Sequence, residues 1–171
     1  MINLFGENVV AIRKLELGSG KFPREGFTGI DIIDFGNNIV WDLEKGLPSD
    51  IESNSVEEIV ADNVLEHVKD LIQLMNDCNR VLVKGGTFEI IVPLFPTIGA
   101  IKDPTHVRFF VEESFDYFDK AWDYEKQPEY GIRKFNVVSK ERIDPSDYKV
   151  TEDTTFSGNG KYVYLKVILR K

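Results

Sequence analysis

The stretch Lys14-Leu-Glu-Leu-Gly-Ser-Gly20 and the later pair Ile30-Asp31 carry the residue types that can hold a nucleoside. A glycine turn lets a ligand approach bare backbone, and a carboxylate at the tip of the neighbouring strand can take a ribose diol. Gly18 and Gly20 alone would be ordinary turn glycines. An acid closing the next apolar strand makes ligand binding the better reading. Asp31 is the first choice for that acid, because the residue before it, Ile30, is apolar. Asp34 is its rival if the strand runs three residues further. A second set of candidates is Asp103-Pro-Thr-His106, with Arg108 beyond it. An imidazole positioned there can deprotonate a hydroxyl or amine nucleophile, with Asp103 orienting it. The alternative is that Asp103 and His106 cap a loop whose shape Pro104 fixes. His67 is either a satisfied, partly buried side chain or a contact close to the bound ligand.

Spacing excludes other chemistries. Two histidines 39 positions apart and the lone Cys78 give no metal-ligand pattern, so no metal site is expected. Leu17-Gly-Ser-Gly-Lys21 lacks the Gly-x-Ser-x-Gly of a nucleophile elbow, and no Gly-Lys-Ser/Thr follows the glycines.

The elements that must position these residues follow from hydrophobic pattern. Leu15 and Leu17 flank Glu16 in a short strand. Phe27–Asp31, Asn38–Leu43 and Glu58–Ala61 read as further strands. Only Gly18 to Gly26 separates the first strand from the second, and a parallel crossover usually takes a dozen residues or more. The first crossover helix is therefore shortened or absent, and Pro23 stands where a dinucleotide-binding turn would place its third glycine. From Asn63 to Leu82, apolar residues recur every three or four positions, which predicts a helix stopped by Gly85-Gly86. Thr87–Pro93 is a strand, and residues 94–110 form a loop at its carboxyl end. Glu112–Phe118 is a short aromatic helix. Residues 119–133 look like an irregular surface loop. Lys134–Ile143 and Tyr162–Leu169 predict a terminal antiparallel pair, separated by a polar stretch ending in Ser157-Gly-Asn-Gly160. The order predicts an α/β fold with a Rossmann-like, mostly parallel sheet in one domain over residues 1–171.

The 171 residues carry a net charge of −8, with 42% hydrophobic and 29% charged side chains. That balance suits a globular protein and argues against non-specific nucleic-acid binding. No run of about 18 apolar residues predicts a membrane span, and residues 1–7 carry no signal-peptide pattern. One cysteine and no signal peptide point to a reducing, cytoplasmic location. Nothing in the sequence fixes the oligomeric state.

Glu16-Leu-Gly18-Ser-Gly20, Asp31, Asp42-Leu43, Asn63-Val-Leu-Glu-His67 and Arg80-Val-Leu82 with Lys84-Gly-Gly86 occur in that order. Together they resemble the class I S-adenosylmethionine-dependent methyltransferases, and within them the small type-11 group. The resemblance covers roughly residues 14–118. It implies a seven-stranded-type sheet, with S-adenosylmethionine as methyl donor and S-adenosylhomocysteine as product. It implies that Glu16, Gly18, Ser19 and Gly20 form the first cofactor-binding motif. Asp31, with Ile32 beside it, would hold the ribose, and Asp42 and Leu43 would flank the adenine. Asn63, Val64, Leu65 and His67 would line the site after the fourth strand. The implied reaction is methyl transfer to a small-molecule or sugar acceptor, with His106 and Asp103 as catalytic candidates. Two readings compete with it: a non-catalytic methyltransferase-like domain that binds an adenosine compound or a protein partner, and an NAD-dependent oxidoreductase. Pro23 argues against the second.

Overall fold

The computed structural model describes residues 12–122, 130–144 and 162–171. The expectations for residues 1–11 and for Ser157–Gly160 lie outside these. Seven strands form one sheet: β1 (Lys14–Leu17), β2 (Thr28–Asp31), β3 (Asn38–Val40), β4 (Val56–Asp62), β5 (Leu82–Pro93), β6 (Asn136–Ile143) and β7 (Tyr164–Arg170). Their order is β3-β2-β1-β4-β5-β7-β6. The first five strands are parallel; β7 pairs antiparallel with both β5 and β6. This is the predicted α/β, Rossmann-like sheet with its antiparallel C-terminal pair.

Alternation along the strands creates the core, because successive side chains point to opposite faces. Leu15, Ile59, Phe88 and Leu169 stand in register across four strands. Leu17, Ala61, Ile90 and Val167 form the next row on the same face. All are fully buried. Helix α1 (Leu71–Val81) closes this face with Leu71, Leu74, Met75, Cys78 and Val81, and Phe110, Phe115, Phe118 and Phe135 complete the cluster. Cys78 is thus the small core residue its apolar surroundings suggest, and burial pushes its thiol above the ordinary range.

No helix lies between Leu17 and Thr28, as the short spacing predicts. The opposite face carries Glu16 on β1, Asp62 on β4, Glu89 on β5 and Lys166 on β7. Arg24, in the loop that replaces the helix, reaches Glu16 at 3.2 Å, Glu89 at 3.2 Å and Asp62 at 3.4 Å. Lys166 completes the network at 2.9 Å from Glu89.

Two predicted boundaries move. The helix expected from Asn63 begins only at Leu71, where the Asp70 side chain accepts the Gln73 N–H at 3.0 Å. Before it lies a 3-10 turn, Leu65–His67, entered through Asn63 at φ 53°. The helix ends at Val81, and β5 starts at once. The glycine pair read as its stop therefore lies inside β5, where Gly85 and Gly86 exchange backbone hydrogen bonds with Lys171. The aromatic segment Glu112–Phe118 is 3-10 rather than α, and a single turn, α2 (Ile98–Ile101), interrupts the 94–110 loop. Among the described residues no helix is long and apolar enough to cross a membrane.

Candidate functional site

A cleft of about 390 Å³ opens at the carboxyl ends of β1, β2 and β4, beside the segment that follows β3. Sheet order reverses between β1 and β4, and such a switch point is where open α/β sheets take ligands. Gly18 reaches the cleft with φ +61°, and a Cβ there would stand 2.5 Å from Val64 Cγ2 on the facing wall. Glycine is therefore required at this point for two reasons: the backbone conformation and the close approach.

Asp31 closes β2 and lines the cleft. Its Oδ2 accepts the Gly20 N–H at 2.9 Å and its Oδ1 the Ile33 N–H at 3.0 Å. Two backbone donors thus fix the carboxylate beside the glycine turn, and each oxygen keeps acceptor capacity for a ligand hydroxyl. The rival acid, Asp34, lies beyond the end of β2 and accepts the Gly36 N–H. Ile32, Asp42, Leu43, Asn63, Val64 and His67 also line the cleft, so the structure brings together eight of the twelve predicted binding residues. Asp42 caps the following 3-10 turn through Glu44 N–H at 3.0 Å.

The other four stand elsewhere. Glu16 is buried under the turn, where it accepts the Arg24 N–H at 2.6 Å and pairs with the Arg24 side chain. Leu65 is fully buried in the core. Ser19 and Gly20 shape the turn; Ser19 N–H bonds Ile30 O, and Gly20 straps Asp31. Trp41, Glu44 and Val68 line the cleft without having been predicted. Trp41 had a readable signal, an aromatic directly before Asp42 at the end of an apolar strand. Its indole N–H is held by Gly46 O at 2.9 Å, which fixes the ring.

The loop after β5 folds back onto the 63–69 segment. Val107 N–H bonds Glu66 O at 2.9 Å, and Arg108 bonds the Lys69 carbonyl at 2.6 Å. This brings His106 against His67, with ring centroids 4.8 Å apart. His67 faces the cleft and His106 is nearly buried behind it. His106 Nδ1 lies 2.8 Å from Ala100 O, so this nitrogen is the donor. The predicted orienting pair stands close but makes no hydrogen bond. Asp103 Oδ2 is 3.9 Å from His106 Nε2, and Asp103 instead accepts the Thr105 hydroxyl at 2.6 Å and the Thr105 N–H at 2.8 Å. Those two bonds hold its carboxyl below its ordinary value.

Glu66 was not predicted. It is 1% exposed, and neither carboxylate oxygen has a hydrogen-bond partner. Burial pushes it up to about 7, with the Asp62 and Asp103 charges adding to the shift. Nothing in the local sequence marks Glu66 as buried, because the loop that covers it comes forty residues later.

Comparison with known proteins agrees with this geometry. The methyltransferase domain family matches residues 16–90. A search of curated proteins by sequence returns no match. Among solved structures, a SAM-dependent methyltransferase from Archaeoglobus fulgidus is 17% identical, with a TM-score of 0.60 over 94% of this chain and 86% of that one. A putative methyltransferase in complex with the Haloferax volcanii Trm112 activator is 15% identical, with a TM-score of 0.62 over 94% and 82%. The Burkholderia thailandensis 1,6-didemethyltoxoflavin-N1-methyltransferase, solved with its substrate and S-adenosylhomocysteine, is 14% identical, with a TM-score of 0.59 over 92% and 70%. At these identities the likeness establishes the fold. The matched segment and the sheet order together give the chain the fold of the class I S-adenosylmethionine-dependent methyltransferases.

Proposed function

We propose that the chain binds S-adenosylmethionine in the cleft and transfers its methyl group to a small acceptor with an apolar body. The observation that carries this reading is the fixed Asp31 carboxylate beside the Gly18 backbone, where φ is +61° and a Cβ would stand 2.5 Å from Val64. Asp31 takes the ribose hydroxyls. Asp42, Leu43 and the Trp41 indole enclose the adenine. Gly18 lets the methionine end pass against the backbone, opposite Val64. The bound donor supplies a sulfonium-activated methyl group, which a nucleophile takes as S-adenosylhomocysteine departs. The chain then has to hold donor and acceptor in line and keep water away.

The acceptor wall is the 94–111 segment. Phe95, Ile98, Val107 and Phe109 are exposed there, and the Phe95 and Phe109 rings lie 5.6 Å apart. This segment is tied directly to the cleft wall through Val68, Lys69 and His67. Exposed apolar side chains at that place favour an acceptor that presents an apolar surface around its nucleophilic oxygen or nitrogen. The net charge of −8 argues against a nucleic-acid acceptor.

Calorimetric titration with S-adenosylhomocysteine and with NAD tests the reading. Saturable binding of the first and none of the second is expected. Failure of S-adenosylhomocysteine to bind overturns it.

A further inference from the structure

We propose that Glu66, His67 and His106 form a binding site for a divalent transition-metal cation of the zinc type, open on the side of the cleft. Sequence spacing predicts no metal site, and the assembly exists only because the loop after β5 folds back onto the turn after β4. One coordinating atom from each of the three residues lies within 4.8 Å of the other two. Three atoms so placed fit within about 2.8 Å of a common centre. Zinc bonds to nitrogen and carboxylate oxygen run about 2.0–2.2 Å, so inward shifts of less than an ångström per side chain would close the site.

Two independent observations point to a ligand here. The first is Glu66 itself. A carboxylate 1% exposed with no partner at either oxygen is costly to bury, and a cation between it and the imidazoles would repay that cost. The second is how the histidines are held. His106 donates Nδ1–H to Ala100 O at 2.8 Å, which leaves the Nε2 lone pair free, with Glu66 Oε1 at 4.0 Å and Asp103 Oδ2 at 3.9 Å. The His67 Nδ1 sits 3.0 Å from Thr105 Oγ1 and 3.3 Å from Thr105 O. Thr105 Oγ1 gives its own hydrogen to Asp103, so toward His67 it can only accept. His67 therefore also donates from Nδ1 and keeps its lone pair on Nε2. In metal sites each ligating imidazole characteristically donates its other nitrogen to a carbonyl or a carboxylate-backed group, and both rings already do so here.

The donor set decides the class of cation. Two imidazoles and one carboxylate suit zinc, iron(II) or cobalt(II), whereas magnesium and calcium take oxygen ligands. Three protein ligands leave at least one position open, which water or an acceptor oxygen can fill. His67 lines the cleft, so that position lies next to the proposed methyl donor. The site rests on its own geometry and stands apart from the cofactor reading.

The test is to strip the full-length chain with chelator and titrate it with Co²⁺ and then Zn²⁺, without methyl donor. The expected result is one Co²⁺ per chain, with a visible ligand-field band that an equivalent of Zn²⁺ abolishes. Glu66→Gln and His106→Gln should each weaken Zn²⁺ binding by more than about tenfold. Thr105→Val, which removes the hydroxyl linking His67 to Asp103 while leaving all three ligands in place, should weaken it by about tenfold. His67→Ala changes the partly exposed member of the three at the cleft wall and serves as the variant least dependent on refolding. Circular dichroism of each stripped variant verifies its fold. No ligand-field band with Co²⁺, or equal Zn²⁺ affinity in wild type and folded His67→Ala, would overturn the proposal.

Discussion

On one face of the sheet Leu15, Ile59, Phe88 and Leu169 form an unbroken apolar row. On the other, in the adjacent register row, the residues are Glu16, Val60, Glu89 and Ile168. Parallel sheets normally carry helices on both faces, and their strands are then apolar throughout. Here α1 and the phenylalanine cluster cover only the first face. Over the second, a loop stands where a crossover helix would, and Arg24 from that loop binds three strands by charge. On that face charged residues interrupt the apolar run, Glu16 on β1, Asp62 on β4 and Glu89 on β5 standing beside the buried Val60. The same Arg24 loop continues from the Gly18–Gly20 turn that borders the cleft.

Four substitutions measure this asymmetry. Phe88→Ala empties the centre of the apolar face and should cost about 3–5 kcal/mol in urea unfolding. Arg24→Met removes the guanidinium shared by Glu16, Asp62 and Glu89. Solvent screens this partly exposed group, so a loss of about 1–2 kcal/mol is expected, with most of it from Glu16, the most buried partner. A loss equal to that of Phe88→Ala would mean that both faces bear the fold alike. Glu89→Gln should change how stability depends on pH. Burial raises the Glu89 carboxyl, but Lys166 and Arg24 outweigh burial and hold it below its ordinary value of 4.5. An acid lowered on folding contributes stability that is complete above its unfolded value and is lost as pH falls through its folded value. Melting temperatures between about pH 3 and 6 should therefore fall less steeply in Glu89→Gln than in wild type. The smallest effect belongs to Glu58→Gln, which removes an exposed pair with Lys14 and should shift stability by less than about 0.5 kcal/mol.

The sheet was legible because period-two alternation survives in Lys14-Leu-Glu-Leu17 and Thr87-Phe-Glu-Ile90. The short crossover was legible from residue count alone. The helix start was not, because Val64, Leu65 and Val68 imitate helical spacing while serving a turn. A competing signal was present: Asp70 followed three residues later by Gln73, the pattern of a helix N-terminus. The cleft residues could be read from the order of glycine turn and strand-end acids. Trp41 carried a local signal, an aromatic directly before Asp42, whereas Val68 enters through packing that spacing does not encode. The Glu66–His67–His106 group was invisible, because a loop closure brings its members together across about forty residues.

The central claim is that Asp31, fixed by Gly20 and Ile33, holds the ribose of the methyl donor. Its most direct test is the affinity of Asp31→Asn for S-adenosylhomocysteine by calorimetry, with Asp34→Asn as the neighbouring control. The account predicts a loss of more than about tenfold at Asp31, corresponding to a charge-assisted hydrogen bond, and no change at Asp34. Undiminished binding by Asp31→Asn, or an equal loss at Asp34, would contradict it.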